Sequence, residues 1–176
     1  MKILVTGGAG FIGSAAVRNL VSRKDYKVLC IDKMTYAASL ESIESVMNND
    51  SFDLEVFDVA SKERISKILR KFQPDKILHL AAETHVDRSI NSPEPFIRSN
   101  IIGTYTLLSE SHKYWQSMTK EGRKVFRFHH VSTDEVFGDL DLDDLPFSET
   151  SPYDPSSPYS ASKASSDHLV RSWYRT

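Results

Sequence analysis

The sequence predicts an α/β protein built on a doubly wound parallel sheet, and three observations lead there. Short apolar and β-branched runs alternate with longer amphipathic segments along most of the chain. The first run, Ile3-Leu4-Val5, passes through a glycine-rich stretch, Thr6 to Ser14, straight into a segment of helical character, Ala15 to Leu20. The second run, Val28 to Ile31, ends on an acid, Asp32. With right-handed crossovers, this alternation places helices on both faces of the sheet and ligand sites at the carboxyl ends of its strands.

The glycine stretch says what the ligand is. Gly7, Gly10 and Gly13 are spaced G-x-x-G-x-x-G between strand and helix. Residues without side chains there let the backbone turn tightly and approach a pyrophosphate that faces the helix N-terminus. Asp32 stands where a carboxylate accepts hydrogen bonds from an adenosine ribose. Together these predict a Rossmann NAD-binding fold; a carboxylate at Asp32 repels a 2′-phosphate and favours NAD over NADP, an inference that neighbouring Lys33 weakens slightly. A plain tight turn followed by a surface aspartate is the competing reading.

The remaining elements follow in order. Ala37 to Asn48 reads as a helix, and Leu54 to Phe57 as a third strand ending at Asp58-Val59, with Asp58 where the adenine would lie. Ile65, Ile68, Leu69 and Phe72 mark an amphipathic helix from Ser61, its candidate N-cap, to the stop at Pro74. Lys76 to Leu80 makes a fourth strand, and the small pair Ala81-Ala82 at its end admits a cofactor to the backbone. Glu83 to Ser89 reads as a polar loop in which His85 and Arg88 are either substrate contacts or ordinary loop residues bonded to backbone. A long helix runs from Pro93 to about Met118, and Val125 to Val131 is a fifth strand. His129 and His130 alternate faces on it and read as core and hydrogen-bonding residues rather than catalysts. Asp139 to Pro158 is acidic, proline-rich and aperiodic, hence a loop, and leads to a helix starting near Tyr159.

Composition limits the alternatives. The 176 residues are 40% hydrophobic and 26% charged, enough for one domain with a sizeable core. A net charge of -2 without a basic run argues against a nucleic-acid surface. No apolar run approaches the roughly 20 residues that span a bilayer. With no secretory signal in evidence after Met1-Lys2 and a single cysteine, Cys30, a cytoplasmic protein without an internal disulfide or cysteine-based metal site is expected.

Chemistry concentrates between Ser132 and Lys163. Tyr159 and Lys163 lie one helical turn apart, and an ammonium beside a phenol favours the phenolate, so an acid of pKa about 10 can serve as a base. Alone, that spacing is common on solvated helices; the glycine turn gives it company.

Thr6 to Ser14, His79 to Ser89, His129 to Gly138 and Ser157 to Arg171 together resemble the extended short-chain dehydrogenase/reductases and, within them, the dTDP-glucose 4,6-dehydratases. The triplet Thr133-Asp134-Glu135 is the dehydratase-specific piece; related decarboxylases look like Ser-Thr-Ser-Glu there, and epimerases lack the acidic pair. The resemblance implies that Tyr159 takes the proton of the sugar 4-hydroxyl while hydride leaves C4 for NAD, with Lys163 lowering the Tyr159 pKa and holding the nicotinamide ribose. Glu135 would then remove the C5 proton, Asp134 protonate the departing 6-hydroxyl, and Thr133 hold the 4-oxygen and orient Tyr159. By the same resemblance Gly7, Gly10, Phe11, Ile12, Gly13, Asp32, Lys33, Met34, Thr35, Asp58, Val59, Leu80, Ala81, Ala82, Glu83, Thr84, Ser99, Tyr159 and Lys163 line the NAD, and Thr84 and Thr133 reach the dTDP-glucose.

It also implies a homodimer through the helices of residues 93–118 and 159–176. Departures are Ala37-Ala38 for a usual Ala-Gly, Phe137 for a Tyr, and exchanged hydroxyl residues at Thr84 and Ser99. The family continues past Thr176 into a domain that grips the sugar nucleotide, so residues 1–176 are expected to be an NAD-binding domain carrying the catalytic residues, without that second domain and inactive alone. Another nucleotide-sugar epimerase or decarboxylase, or a non-catalytic NAD-binding module, are the competing functions.

Overall fold

Five parallel strands form one sheet in the order β3-β2-β1-β4-β5. They are β1 (Lys2–Thr6), β2 (Lys27–Asp32), β3 (Phe52–Val56), β4 (Lys76–His79) and β5 (Arg127–His130). The computed structural model describes all residues, Met1–Thr176. The chain divides into two compact units, Met1–Ala81 with Thr106–Val131, and Ala82–Tyr105 with Ser132–Thr176. No helix is long and apolar enough to cross a membrane.

The first unit holds the sheet, and the strand period of two explains its two-sided core. Ile3 and Val5 of β1 and Val28 and Cys30 of β2 face one side, where they join Val17 and Val21 of α1 (Phe11–Val21) and Val46 of α2 (Glu44–Met47). The intervening Leu4, Leu29 and Ile31 face the other, against Ile65, Ile68 and Leu69 of α3 (Lys62–Phe72) and Leu107. Every one of these is buried, so the central strands read as continuous apolar runs rather than alternating ones. At the C-terminus of α3, Gln73 takes a left-handed φ of 54° ahead of Pro74.

Several boundaries differ from expectation. Only a 3-10 turn, Glu41–Ile43, and α2 occupy the stretch read as a helix from Ala37 to Asn48. The backbone N–H of Ser39 donates to the carbonyl of Ala9, a tertiary bond that holds this start out of a helix. β3 begins earlier than expected, at Phe52, which pairs with Val28. Ser61 occupies the N-cap of α3 without a side-chain capping bond. The strand expected from Val125 starts at Arg127, because α7 (Lys120–Val125), capped by the Thr119 hydroxyl, ends there. His129 is exposed rather than in the core, as befits a strand at the sheet edge.

The second unit contains α4 (Val86–Asn91), α5 (Glu94–Phe96), a π-helical segment Ile97–Gly103, a 3-10 turn Asp134–Phe137 and α8 (Pro158–Arg175). Helix α4 takes up the second half of the stretch expected to be loop, Glu83 to Ser89, and runs two residues past it; it is closed by the Ser89 N–H donating to the His85 carbonyl. The long helix expected from Pro93 is helical from Glu94 to Ser117, but as α5, the π segment and α6 (Thr104–Ser117) in succession.

Candidate active site

In the first unit, Gly7 leaves β1 with φ +73°, a conformation that costs glycine little. A Cβ there would lie 2.6 Å from the Ala81 backbone nitrogen, and one at Gly13 would lie 2.0 Å from the Gly7 carbonyl oxygen. These two glycines are therefore demanded by the protein's own packing.

Gly10 is different. It is the N-cap of α1 with ordinary extended backbone, φ -77° and ψ 176°. A Cβ there would meet nothing nearer than the Gly7 carbonyl oxygen at 3.4 Å, an ordinary contact. Neither strain nor internal packing requires glycine, which leaves close approach of something from outside. The first turn of α1 carries no acidic residue and no side-chain cap, so its free N–H groups suit an anion. Phe11 and Ile12 beside it are exposed at 92% and 64%, which is unusual for apolar residues in the first turn of a helix whose Val17 and Val21 are core. The site fits the pyrophosphate of NAD.

Asp32, 7% exposed, accepts from the N–H of Ala9 and of Met34, each at 2.9 Å. It ties the glycine turn to the end of β2, with Met34 held at φ 56°. A carboxylate has about four acceptor positions, so two remain for a ribose. Lys33 pairs with Asp58 at 3.4 Å, and Asp58 also accepts from the Ala60 N–H. Val59, beside it, is 4% exposed and packs in the core. At the end of β4 the Ala81 N–H donates to the Thr6 hydroxyl, whose own proton is then free for His79 Nδ1 at 2.6 Å. Leu80 and Ala81 are half-buried.

In the second unit, the Thr133–Glu135 triplet opens the 3-10 turn as its N-cap, the Thr133 hydroxyl accepting from the Glu135 N–H and donating to Asp134. Tyr159 and Lys163 are buried on α8. That helix starts where it does because Pro158 occupies its first turn and Ser157 and Ser160 form a capping box. Ser89 Oγ accepts from the Tyr159 N–H at 3.1 Å, and Phe96 packs edge-on against the Tyr159 ring. Along α8, Ser162, Ser165, Ser166 and Ser172 each donate a hydroxyl to a carbonyl one turn back. Thr84 is exposed, Ala82, Glu83 and Ser99 are half-buried, and His85 and Arg88 are exposed at the start of α4.

Electrostatics depart from expectation at one point. Burial pushes the Tyr159 hydroxyl above its usual range; the Thr133 hydrogen bond opposes this, and the charges of Glu135, Asp134 and Asp167 add to it. Burial therefore outweighs the opposing influences on this phenol. Lys163 is itself pushed down by burial, against the pull of Asp167. Glu135 is raised by lost solvation, then by Asp134 and Asp139, in the direction a general base near neutral pH needs.

Sequence reasoning missed the residues that hold these groups. Asn100, in the π segment and 1% exposed, accepts from the Glu83 N–H and donates to both the Glu83 carbonyl and Ser162 Oγ. A π segment inside a long helix was the structural signal for such a site, and it leaves no mark in hydrophobic period. Ser89 gave no signal at all.

The sequence model of the family described as GDP-mannose 4,6 dehydratase matches residues 4–176. A dTDP-glucose 4,6-dehydratase of Neisseria meningitidis serogroup B is 54% identical over 175 residues, which cover 99% of this chain and 49% of that protein. The crystal structure of the dTDP-glucose 4,6-dehydratase DesIV from Streptomyces venezuelae, with NAD bound, superposes with a TM-score of 0.89 at 39% identity, covering 100% of this chain and 52% of that one. A UDP-glucose 4-epimerase from Thermotoga maritima, with UDP-glucose, gives a TM-score of 0.84 at 31% identity over 99% of this chain and 52% of that one. The chain spans about half the length of the curated relatives it matches.

Proposed function

The chain belongs to the GDP-mannose 4,6 dehydratase family, and on that footing we propose that it is the NAD-binding and catalytic portion of an enzyme that converts dTDP-glucose to dTDP-4-keto-6-deoxyglucose. The observation that carries this reading is the side-by-side Asp134 and Glu135 on the turn that Thr133 caps. An epimerase needs one base and one hydride site; a dehydratase needs three further proton transfers, off C5, onto the departing 6-oxygen and back onto C5, and an adjacent acid and base supply them.

NAD, once bound, would supply a hydride acceptor for C4 and a hydride donor for C6. Tyr159 takes the proton of the 4-hydroxyl, and Thr133 holds both that oxygen and the phenol in line. The 4-ketone makes the C5 proton acidic, and Glu135, its pKa raised, removes it and gives a proton back to C5 when C6 has received hydride. Asp134 gives a proton to the departing 6-oxygen, so that water leaves. Lys163, buried on the same helix as Tyr159, would hold the nicotinamide ribose. Gly7, Gly10, Gly13 and the first turn of α1 receive the pyrophosphate, and Asp32, Met34, Thr35 and Asp58 the adenosine.

The protein at the length of its relatives, given dTDP-glucose, should release one water per sugar by mass spectrometry; a C4 epimer of unchanged mass would replace this reading with epimerisation. We further propose a cytoplasmic protein that pairs as a homodimer through 93–118 and 159–176, where Ile97, Ile102, Tyr105 and Tyr174 expose apolar surface. Sedimentation at tens of micromolar showing only monomer would remove the dimer.

A further inference from the structure

Asp167 lies one helical turn beyond Lys163 on α8, with only 6% of its surface exposed. A carboxylate has acceptors and no donors, and taking its charge out of water is costly unless hydrogen bonds replace the hydration. Two of those bonds come from outside its helix. The hydroxyl of Ser132, the residue ahead of the Thr133–Glu135 triplet, donates to Oδ2 at 2.5 Å, and the hydroxyl of Tyr153 donates to the same oxygen at 3.0 Å. Hydrogen bonds to an ionised acceptor are short and strong. Tyr153 comes from the long irregular stretch after the turn, and its ring packs on Phe137, the last residue of the 3-10 turn, and on His168. The Asp154 N–H then donates to the Val136 carbonyl. Asp167 thus fastens the acid–base turn from both of its ends to the helix that carries Tyr159 and Lys163.

We propose that Asp167 is a positioning residue for the dehydration chemistry, holding the Thr133–Glu135 turn in register with Tyr159 through Ser132 and Tyr153. The proposal rests on the function proposed above only for what the register serves. Both carboxyls of the turn act in the elimination, whereas the oxidation takes from it only the orienting Thr133 hydroxyl and depends on Tyr159, whose helix keeps its own capping box without the clamp. Loosening the turn therefore slows elimination more than oxidation. Loss of folded protein lowers both alike.

The test uses the protein at the length of its relatives, with Ser132→Ala and Tyr153→Phe, which leave the buried acid in place, and Ser132→Thr, which restores a hydroxyl. Hydrogen exchange is followed at Thr133 to Gly138 and at Asp154, and single turnovers of dTDP-glucose are followed by reduced-cofactor absorbance. Each removal should speed exchange in those amides by about tenfold or more. Elimination should slow by roughly 10- to 100-fold, with a transient rise of reduced cofactor and KM unchanged, and Ser132→Thr should recover both. Unchanged exchange, or oxidation and elimination falling together, overturns the clamp. A wild-type protein that does not turn over dTDP-glucose overturns the proposed function instead, and the exchange measurement still decides the clamp.

Discussion

Replacing Gly10 by alanine separates the two reasons a glycine turn contains glycine. At this position the added Cβ touches only the Gly7 carbonyl oxygen, at 3.4 Å, and the backbone already has a φ of -77° that alanine adopts. Alanine is a poorer N-cap than glycine by some tenths of a kcal/mol to about 1 kcal/mol. Reduced freedom of the unfolded chain returns about 0.4–1 kcal/mol. Stability should therefore change by no more than about 0.5 kcal/mol. The methyl, however, stands over the uncapped first turn of α1, where an anion would approach. Loss of one or two charge-assisted bonds at about 1.5–3 kcal/mol each weakens NAD binding by roughly 10-fold to several hundred-fold or more. Gly13→Ala is the control: its Cβ falls 2.0 Å from the Gly7 carbonyl oxygen and 2.9 Å from its carbon, so the turn must move. That overpacking costs about 1–3 kcal/mol or more, and stability and binding fall together. Urea denaturation and calorimetry with NAD read the two quantities separately. If Gly10→Ala binds NAD as tightly as the parent, the reasoning from empty space at Gly10 is wrong.

Other outcomes follow from the same geometry. Calorimetry with both cofactors should show tighter binding of NAD than NADP, since the Asp32 carboxylate repels a 2′-phosphate; the reverse order would remove that role from Asp32. In the protein at its relatives' length, Tyr159→Phe should abolish the first hydride transfer, whereas Asp134→Asn should still oxidise the sugar and stall before water is lost; an undiminished elimination rate in Asp134→Asn would contradict its role as acid. Glu135 has a folded pKa above its ordinary value, so the native state holds this proton to higher pH than the unfolded chain does. Its contribution is complete below the ordinary glutamate pKa and is lost as pH rises through the folded one. Glu135→Gln should flatten that decline, measured as urea midpoints from pH 4 to 7. Burial pushes the Cys30 thiol up to about 12, so thiol reagents at pH 8 should modify it only as fast as the protein opens; rapid labelling of the native state would show that the site is not closed.

The sequence made the glycine turn, the strand order of apolar runs and the Tyr159 helix legible because each is encoded locally: by missing side chains, by period and by a cap. The residues that bond α8 from outside were not legible, since Ser89, Asn100, Ser132 and Tyr153 gain their meaning from partners far along the chain. The lost helix at Ala37 has the same origin, one bond from Ser39 to Ala9 outweighing a run of good helix formers. Tyr159 shows the limit of arguing from spacing. A turn of helix brings Lys163 to the same face, but burial of both groups, which spacing does not reveal, decides the direction of their ionisation.

The serines of α8 have a consequence for how the chain reaches this structure. Within the helix Ser160, Ser162, Ser165, Ser166 and Ser172 are indifferent helix formers, and all five donate their hydroxyls to carbonyls of the preceding turn. What holds the helix is the bonds that reach it from distant positions, Ser89 to Tyr159, Asn100 to Ser162, and Ser132 and Tyr153 to Asp167. Anchors drawn from so far along the chain close late on the folding path, so substitutions that remove them should accelerate unfolding while leaving the refolding rate nearly unchanged. Tyr159 and Lys163 would then be brought into place only after the rest of the molecule has committed to its topology.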